Sequence, residues 1–412
     1  MVIRRVTAKR PTEGTVSMLT WTLRRRTTPR RGNCHRLGIR LVIAIGVAPV
    51  LLSGSITHLA GASTSVNRFV AIRMTNSLDG WAFNDTQVLW TTDGGIKWID
   101  RTPAMLGKSL LAPINYGGQF TDFTTPGTRV AWFAVAIKGR IKIFSTSNGG
   151  ASWRSFSVAP AGVARTSSGS TPIVLGLVGV SPRDGWLLVS SGGVAAGSED
   201  VELYRTTDWS HSWQLEDAAT QERPSPKGLP VGGDKTGLAF AQASLGWITG
   251  NRGSQRGIFL YFTRNAAHLW RGSVLPTPTG YSLNNDSATT YSPQFVGSFG
   301  VLPVDWPNHR TIIFYVSANG GHSWTPTTPI SLPGGDYPSA WSWPDIYRAF
   351  VVTGSTFCTS SSNGRTWSCP PTPAVLRGVT ELQFLNHNFG WAVVRGRILR
   401  TSDGGANWTP IA

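Results

Sequence analysis

The sequence predicts an all-β protein, and within that class a seven-bladed β-propeller of four-stranded antiparallel blades. The composition, a turn that recurs seven times and the spacing of its copies support this prediction. Of the 412 residues, 40% are hydrophobic and 14% charged, which is enough apolar material for a large buried core. The 47 Gly and 26 Pro residues, mixed with 18 Trp, favour many short strands joined by turns over packed helices.

The repeated turn begins with Thr or Ser, has Asp or Asn two residues later, and ends on Trp. Three copies are nearly identical, at residues 91–98, 146–153 and 401–408. Weaker copies occupy residues 206–213, 263–270, 317–324 and 360–367. The polar residue and the Trp of each copy are Asp93 and Trp98, Asn148 and Trp153, Asp208 and Trp213, Asn265 and Trp270, Asn319 and Trp324, Ser362 and Trp367, and Asp403 and Trp408. Successive tryptophans are separated by 55, 60, 57, 54, 43 and 41 residues, spacings that fit four-stranded propeller blades with variable loops.

A second mark precedes most of these turns and divides each repeat into four strands. It is a Gly-Trp or Gly-Val pair at the start of a β-rich stretch, as in Asp79-Gly80-Trp81 and Gly390-Trp391. Ala131-Trp132 and Tyr347 are its degenerate counterparts in the second and sixth repeats. Each repeat therefore reads as an inner strand, a second strand, a third strand, the repeated turn and an outer strand.

The residue types of the repeated turn indicate a structural role. An Asp or Asn side chain accepts hydrogen bonds from backbone N–H groups just downstream, and the glycines adopt the positive φ angles of a tight hairpin. The Trp then buries its ring between blades. Asn148, Asn265, Asn319 and Ser362 cannot act as general bases, so we do not expect the turns to form a catalytic ring.

These turns and their spacing resemble the BNR/Asp-box repeat superfamily. The Gly-Trp strand before each Asp-box turn is most similar to the photosystem II stability/assembly factor-like branch, and the resemblance covers residues 66–412. It implies a propeller that holds a membrane-protein precursor through a patch of arginines. The superfamily also includes sialidases, other glycoside hydrolases and sortilin-type receptors, so the fold does not determine the activity.

A secreted glycoside hydrolase, sialidase-like or otherwise, is the alternative function. The string nearest to the sialidase Arg motif, residues 71–74, lacks the proline, and residues 63–412 contain only five glutamates, four of them in or beside the third repeat, in loops or edge strands. Paired carboxylates could still come from Asp122, Asp286, Asp305 or Asp336. The seven histidines show no metal-ligand spacing and no glycine pair has the context of a phosphate loop, so we expect no metal, no cofactor and no catalytic residue.

The N-terminal residues 1–62 predict export. They contain eleven Lys or Arg and one acid, followed by an apolar run from Leu41 to Leu52 and the Ala60-Gly61-Ala62 cleavage pattern. Cleavage after Ala62 and retention as a membrane anchor both remain open, as does a start at Met18. Residues 63–412 would then form the extracytoplasmic propeller. The pair Cys358 and Cys369 faces across a hairpin and predicts a disulfide, with two unpaired thiols as the alternative.

Most of the net charge of +17 lies in the leader, which weakens a nucleic-acid interpretation. In an up-and-down blade, the turns between the second and third strands lie on the face opposite the repeated turns. Those turns carry cations from four repeats, Lys138, Arg140, Arg252, Arg256, Arg310, Arg395 and Arg397, near aromatic residues that include Trp306 and Trp343. We therefore predict a monomeric, non-catalytic scaffold of the cell envelope that binds a protein or anionic polymer there, and no nucleic acid.

Overall fold

The computed structural model describes residues 68–84, 86–106, 120–161, 172–195, 197–220, 223–253, 255–333 and 340–411. They belong to one compact unit, residues 64–412. The predicted leader, with its cleavage or anchor alternatives, lies outside the described residues.

Seven antiparallel sheets follow one another along the chain, and each sheet is one blade. Blade 1 contains β1 (Phe69–Met74), β2 (Gly80–Asn84), β3 (Val88–Thr91) and β4 (Ile99–Asp100); blade 2 contains β5 (Phe120–Gly127), β6 (Val130–Ile137), β7 (Arg140–Thr146) and β8 (Arg154–Val158). Blade 3 contains β9 (Ile173–Gly179), β10 (Gly185–Ala195), β11 (Ser198–Thr206) and β12 (Gln214–Ala219); blade 4 contains β13 (Asp234–Gln242), β14 (Leu245–Asn251), β15 (Phe259–Thr263) and β16 (Arg271–Gly272).

The last three blades follow the same order with small departures. Blade 5 contains β17 (Thr289–Thr290), β18 (Gln294–Val296), β19 (Phe299–Trp306), β20 (Thr311–Ser317), β21 (Thr325–Pro326) and β22 (Ile330–Ser331), so that its inner and outer strands are each in two pieces. Blade 6 contains β23 (Ala340–Ser342), β24 (Ala349–Val352) and β25 (Phe357–Ser360), and blade 7 contains β26 (Val379–Phe384), β27 (Gly390–Val394), β28 (Arg397–Thr401) and β29 (Thr409–Pro410). The outer edge of blade 6 is reduced to two backbone bridges, Thr359 with Ser368 and Thr356 with Pro371. The predicted seven-bladed propeller is confirmed.

One register is repeated in every blade. The Thr or Ser that opens the repeated turn lies opposite the first residue of the Gly-Trp mark, as Thr91 lies opposite Gly80 and Thr401 opposite Gly390. A Cβ at Gly80 would overlap the Met74 sulfur on the neighbouring inner strand, which explains the glycine.

The sixth repeat corrects one sequence prediction. There Ser360 lies opposite Ala349, so Ala349 and Phe350 take the positions of Gly and Trp. Tyr347, expected there from the sequence, lies two residues earlier, and its side chain is 63% exposed. The error arose because neither Gly nor Trp marks this strand, and only the hydrogen-bond register identifies it.

The hydrophobic core is divided into seven layers, one between each pair of neighbouring blades. The layer between blades 1 and 2 contains Trp81, Phe83, Phe133 and Phe144, for example. The second strands are buried on both faces because each contacts two layers, and all five residues of β2 and of β27 are buried. This position explains why these segments read as continuous apolar runs.

The ring closes by packing between blade 7 and blade 1. Ile72 and Met74 of β1 share a buried layer with Trp391 and Val393 of β27. The indole Nε1 of Trp391 also donates a hydrogen bond to the Gly94 carbonyl at 3.0 Å. In the described residues β1 pairs only with β2, so no strand is exchanged between the first and last blades.

Helical structure in the described residues is limited to short 3-10 turns such as Ala104–Leu106, Pro307–His309 and Ala374–Leu376. Within this part of the chain, no helix has the length and apolar character needed to cross a membrane.

Candidate functional site

Backbone hydrogen bonds assign the loops of the propeller to two faces. In every blade the repeated turn donates to a carbonyl of the turn between the inner and second strands, as Gly94 N does to Leu78 O at 2.8 Å and Gly404 N to Asn388 O at 3.0 Å. We call this side the turn face. The turns between the second and third strands contact the connections between blades, as in Leu332 N to Arg310 O at 2.7 Å. We call this second side the connector face.

The repeated turns of the turn face share one hydrogen-bond arrangement. In blade 1, Asp93 Oδ1 accepts the N–H of Lys97 at 2.9 Å, and Thr91 Oγ1 accepts the N–H of Gly95 at 3.0 Å. Equivalent bonds occur in all seven copies, including the one where Ser362 Oγ accepts the N–H of Thr366 at 2.9 Å. The Asp, Asn and Ser side chains therefore bind their own turns.

The tryptophans of the repeated turns pack between blades. Trp153 lies 6.0 Å from Trp81 of the preceding blade, measured between ring centres, and Trp324 lies 6.2 Å from Trp247. Burial differs between copies: Trp213, Trp270 and Trp324 are buried, whereas Trp98, Trp153, Trp367 and Trp408 are partly exposed.

The connector face carries the predicted cations at the expected turns. The side chains come from blades 2, 4, 5 and 7, and all seven residues are exposed: Lys138, Arg140, Arg252, Arg256, Arg310, Arg395 and Arg397. Arg252 Nε donates to the Ile258 carbonyl at 3.0 Å, and Arg256 bonds to Asn284 O at 3.3 Å. Within the described part of the chain, the side chains of the other five have no hydrogen-bond or ion-pair partner.

Two further arginines join this set near the seam between blades 7 and 1. Arg68 lies against Gly396 of the turn that carries Arg395 and Arg397, and Phe69 N donates to Gly396 O at 3.0 Å. Arg377 precedes Gly378, whose neighbour is the Arg395 side chain. Sequence reasoning missed Arg68 and Arg377 because they lie in connections, which have no repeat to mark them.

The aromatic residues predicted beside the cations are not a free surface. Trp306 is fully buried between blades 4 and 5, and Trp343 is 4% exposed. Trp343 packs against Trp367 of a repeated turn, with ring centres 5.8 Å apart, so it lies towards the turn face. The prediction of aromatic anchors was wrong for these two residues, because loop residues next to a strand end can still enter an interblade layer.

Three of the four aspartates considered for a catalytic pair lie within the described residues, in blade 2, in blade 5 and in the connection before blade 5. Asp122 on β5 accepts the N–H of Leu177 at 2.8 Å, and burial raises its pKa to about 6. Asp305 on β19 is buried, which raises its pKa to about 6. Asp286 bonds to His309 Nε2 at 2.9 Å in a connection, and Asp336 lies outside the described residues.

Glu199 and Glu216 of the third repeat also have structural partners. Glu199 Oε2 accepts the N–H of Lys235 at 2.9 Å, and Glu216 Oε1 pairs with Lys227 Nζ at 2.8 Å. Glu199 and Glu202 lie on β11, the third strand of blade 3, and are buried. The expectation of loops or edge strands was wrong for these two residues.

A cavity of about 570 Å³ lies where inner strands of blades 1, 5, 6 and 7 converge on the propeller axis. Arg73 and Glu381 form an ion pair in its wall, and Trp341 and Phe295 supply apolar surface. Glu381 also accepts the N–H of Ile72 at 2.6 Å, so its carboxylate is engaged in ring closure.

Two remaining predictions concern metal ligands and cysteines. No group of three or more His, Cys, Asp or Glu residues suited to a metal ion occurs among the described residues. The sulfur atoms of Cys358 on β25 and Cys369 are bonded to each other across the outer edge of blade 6.

Comparison with solved structures gives the same fold. YCF48 from Cyanidioschyzon merolae superposes with a TM-score of 0.55 at 14% identity, covering 81% of this chain and 95% of that one. YCF48 bound to D1 peptide superposes with a TM-score of 0.50 at 14% identity, covering 81% and 91%. The chain is thus a propeller that resembles the photosystem II assembly factor YCF48.

The GH74 xyloglucanase from Xanthomonas campestris matches with a TM-score of 0.42 and 14% identity over 81% of this chain and 65% of that one. No protein-family model and no curated protein sequence matches the chain. Identity this low relates these proteins by fold alone.

Proposed function

We propose that the protein is an exported, non-catalytic scaffold of the cell envelope that binds a protein or anionic polymer on its connector face. One observation carries the proposal. Seven exposed cations from four blades lie on this face, and five of them have no partner among the described residues.

Unpaired surface cations are suited to binding an anionic partner. An exposed guanidinium keeps its hydration until a carboxylate arrives, and Arg can then form two parallel hydrogen bonds to it. Cations on one face also attract an anionic partner over about 8–10 Å at physiological ionic strength. The proposed contact should therefore be fast to form and sensitive to salt.

The solved relatives support a protein as partner. In one solved structure, YCF48, a propeller of this fold, is bound to D1 peptide. For this chain, we propose the same kind of partner without assigning the same client.

Export is supported by the basic leader with its apolar run and by the Cys358–Cys369 bond, which needs an oxidising compartment to persist. Either fate of the leader, cleavage or anchoring, leaves the propeller outside the cytoplasm.

The test is capture of partners from envelope fractions with the full chain as bait. Arg395→Glu with Arg397→Glu should lose the captured partner, while Arg264→Glu with Arg271→Glu, which changes the charge equally in blade 4, should retain it. Melting temperatures should agree for all three baits. Equal capture by both variants would show that the connector face does not bind the partner.

The hydrolase alternative is tested separately with fluorogenic sialosides and xyloglucan. Because Asp122 remains protonated up to about pH 6 in the fold, it is the acid whose loss is the most informative. We expect no turnover above the buffer blank. Turnover that Asp122→Asn abolishes would establish the alternative.

A further inference from the structure

The gap between blades 2 and 3 opens on the turn face as a cavity of about 430 Å³. Arg154, Trp209 and His211 line it, together with the hydroxyl-bearing residues Ser147 and Ser152. This volume lies in the lower part of the range of about 300–1,000 Å³ that small-molecule sites occupy.

Trp209 occupies a position of the repeated turn where a large side chain is unexpected. Its φ is 65°, and the other turns have Gly, Ala or Asn in this position, also with positive φ. Positive φ is strained for any residue with a Cβ. The indole does not compensate by filling the core, because the residue is 47% exposed. A strained, exposed aromatic residue beside a cavity points to function.

Arg154 is held next to Trp209 by a chain of contacts. Its Nη1 contacts His211 Nε2, and His211 Nδ1 contacts the Asp208 carbonyl. The imidazole therefore donates from Nδ1 and accepts from the guanidinium at Nε2. The other guanidinium N–H groups have no hydrogen-bond partner among the described residues, which leaves them free to bind a ligand.

The charge of the cavity is positive. Arg154 lines it, whereas no Asp or Glu does. Asp208 directly precedes Trp209 in the chain. Its carboxylate oxygens accept hydrogen bonds from Ser212 N at 3.0 Å, Ser212 Oγ at 2.6 Å and Thr206 Oγ1 at 2.8 Å. The Asp208 carboxylate is therefore bonded within its own turn.

We propose that this cavity binds an acidic saccharide, a six-membered sugar ring that carries a carboxylate. The apolar C–H face of the ring would stack on the Trp209 indole, whose large flat surface is suited to such contact. The carboxylate of the sugar would accept two parallel hydrogen bonds from the free N–H groups of Arg154. Ser147 and Ser152 line the same cavity, and their hydroxyls can exchange hydrogen bonds with the hydroxyl groups of the sugar.

The experiment is calorimetric titration of the full chain with triglucuronic acid, and with cellotriose as its neutral counterpart. Triglucuronic acid should bind at least about tenfold more tightly than cellotriose, a difference of about 1.4 kcal/mol, because only the acidic sugar can form a charge-assisted pair with Arg154. Trp209→Gly restores the residue that four other turns have and relieves the positive φ. It should therefore weaken binding at least tenfold with an unchanged or higher melting temperature.

Two further variants complete the test. Arg154→Gln should abolish the preference for the charged sugar, and Ala266→Gly, at the matching turn position of blade 4, should leave affinity unchanged. No binding of either sugar, equal affinity for both, or full affinity in Trp209→Gly would overturn the proposal. Binding of an acidic peptide, with no binding of either sugar, would also overturn it. The site lies on the turn face, so its failure leaves the connector-face function untouched.

Discussion

Glu381 of the last blade accepts a hydrogen bond from the backbone N–H of Ile72 in the first blade, at 2.6 Å. Its second oxygen forms an ion pair with Arg73. Two residues further along, Gln383 Oε1 accepts the N–H of Met74 at 2.7 Å, and its amide donates to the Met74 carbonyl at 2.8 Å. These side chains join residues separated by 309 positions and fasten the ring at its inner strands.

Removing Glu381 should loosen this closure. In Glu381→Ala the N–H of Ile72 and the guanidinium of Arg73 lose their partner, so we expect the free energy of unfolding to fall by about 1–3 kcal/mol. Glu381→Gln keeps an acceptor and should lose less. Urea denaturation of the two variants checks this prediction, and an unchanged midpoint for Glu381→Ala would show that closure rests on the apolar layer alone.

The buried hydroxyl of the repeated turn should contribute to the free energy of unfolding by an amount similar to that of Glu381. Thr401 is 2% exposed, and its Oγ1 accepts the N–H of Gly405 at 3.0 Å. Thr401→Val leaves this N–H unpaired and should cost about 1–3 kcal/mol of unfolding free energy. Thr401→Ser, which has the residue type of Ser317 and Ser360 in other blades, is the matched control and should lose far less. Equal loss in both variants would contradict the assigned role.

Stability should pass through a maximum near pH 4. Hydrogen bonds to Asp208 and Asp403 hold the pKa of each carboxyl at about 2, below the ordinary value of 3.8, so their contribution is lost as pH falls from 4 towards 2. Burial raises the pKa of Asp122 and Asp305 to about 6. Between pH 4 and 6 the unfolded chain ionises these two groups while the fold keeps them protonated, so stability falls as pH rises.

Asp122→Asn isolates one of these contributions. The amide oxygen can still accept the N–H of Leu177, but the side chain no longer titrates. Melting temperatures recorded from pH 3 to pH 7 should therefore decline less between pH 4 and 6 than those of the unaltered protein. A decline of the same size would mean that Asp122 does not titrate with a raised pKa.

Reduction of the Cys358–Cys369 bond should destabilise blade 6 moderately. The two cysteines are 11 residues apart, and a loop of this size corresponds to about 2–3 kcal/mol of unfolding free energy. Thermal melts with and without dithiothreitol check the size, with Cys358→Ser/Cys369→Ser as the variant that should no longer respond. A protein whose thiols react fully with iodoacetamide before reduction would contradict the bond.

Sequence reasoning predicted the blades well because each repeated turn is stabilised locally. The hydrogen bond from Lys97 N to Asp93 joins residues four positions apart, so both partners lie within the eight-residue turn pattern that the sequence shows. The seven cations lie on the face opposite the repeated turns, because the alternation of strands determines on which side each turn lies.

What sequence reasoning missed depends on contacts between distant parts of the chain. The Glu381–Ile72 bond joins the two ends of the propeller, and no local pattern marks it. The sequence predicts a loop surface for Trp343, whereas its side chain fills a layer between blades 5 and 6. The turn pattern predicts nothing beside Trp209, whereas the fold places a cavity there and gives the residue a positive φ.

The most direct test of the connector-face account is hydrogen exchange of the full chain with and without its captured partner. We expect protection at residues 138–140, 308–310 and 395–397, with the repeated turns unchanged. Protection confined to the repeated turns of the turn face would contradict the account.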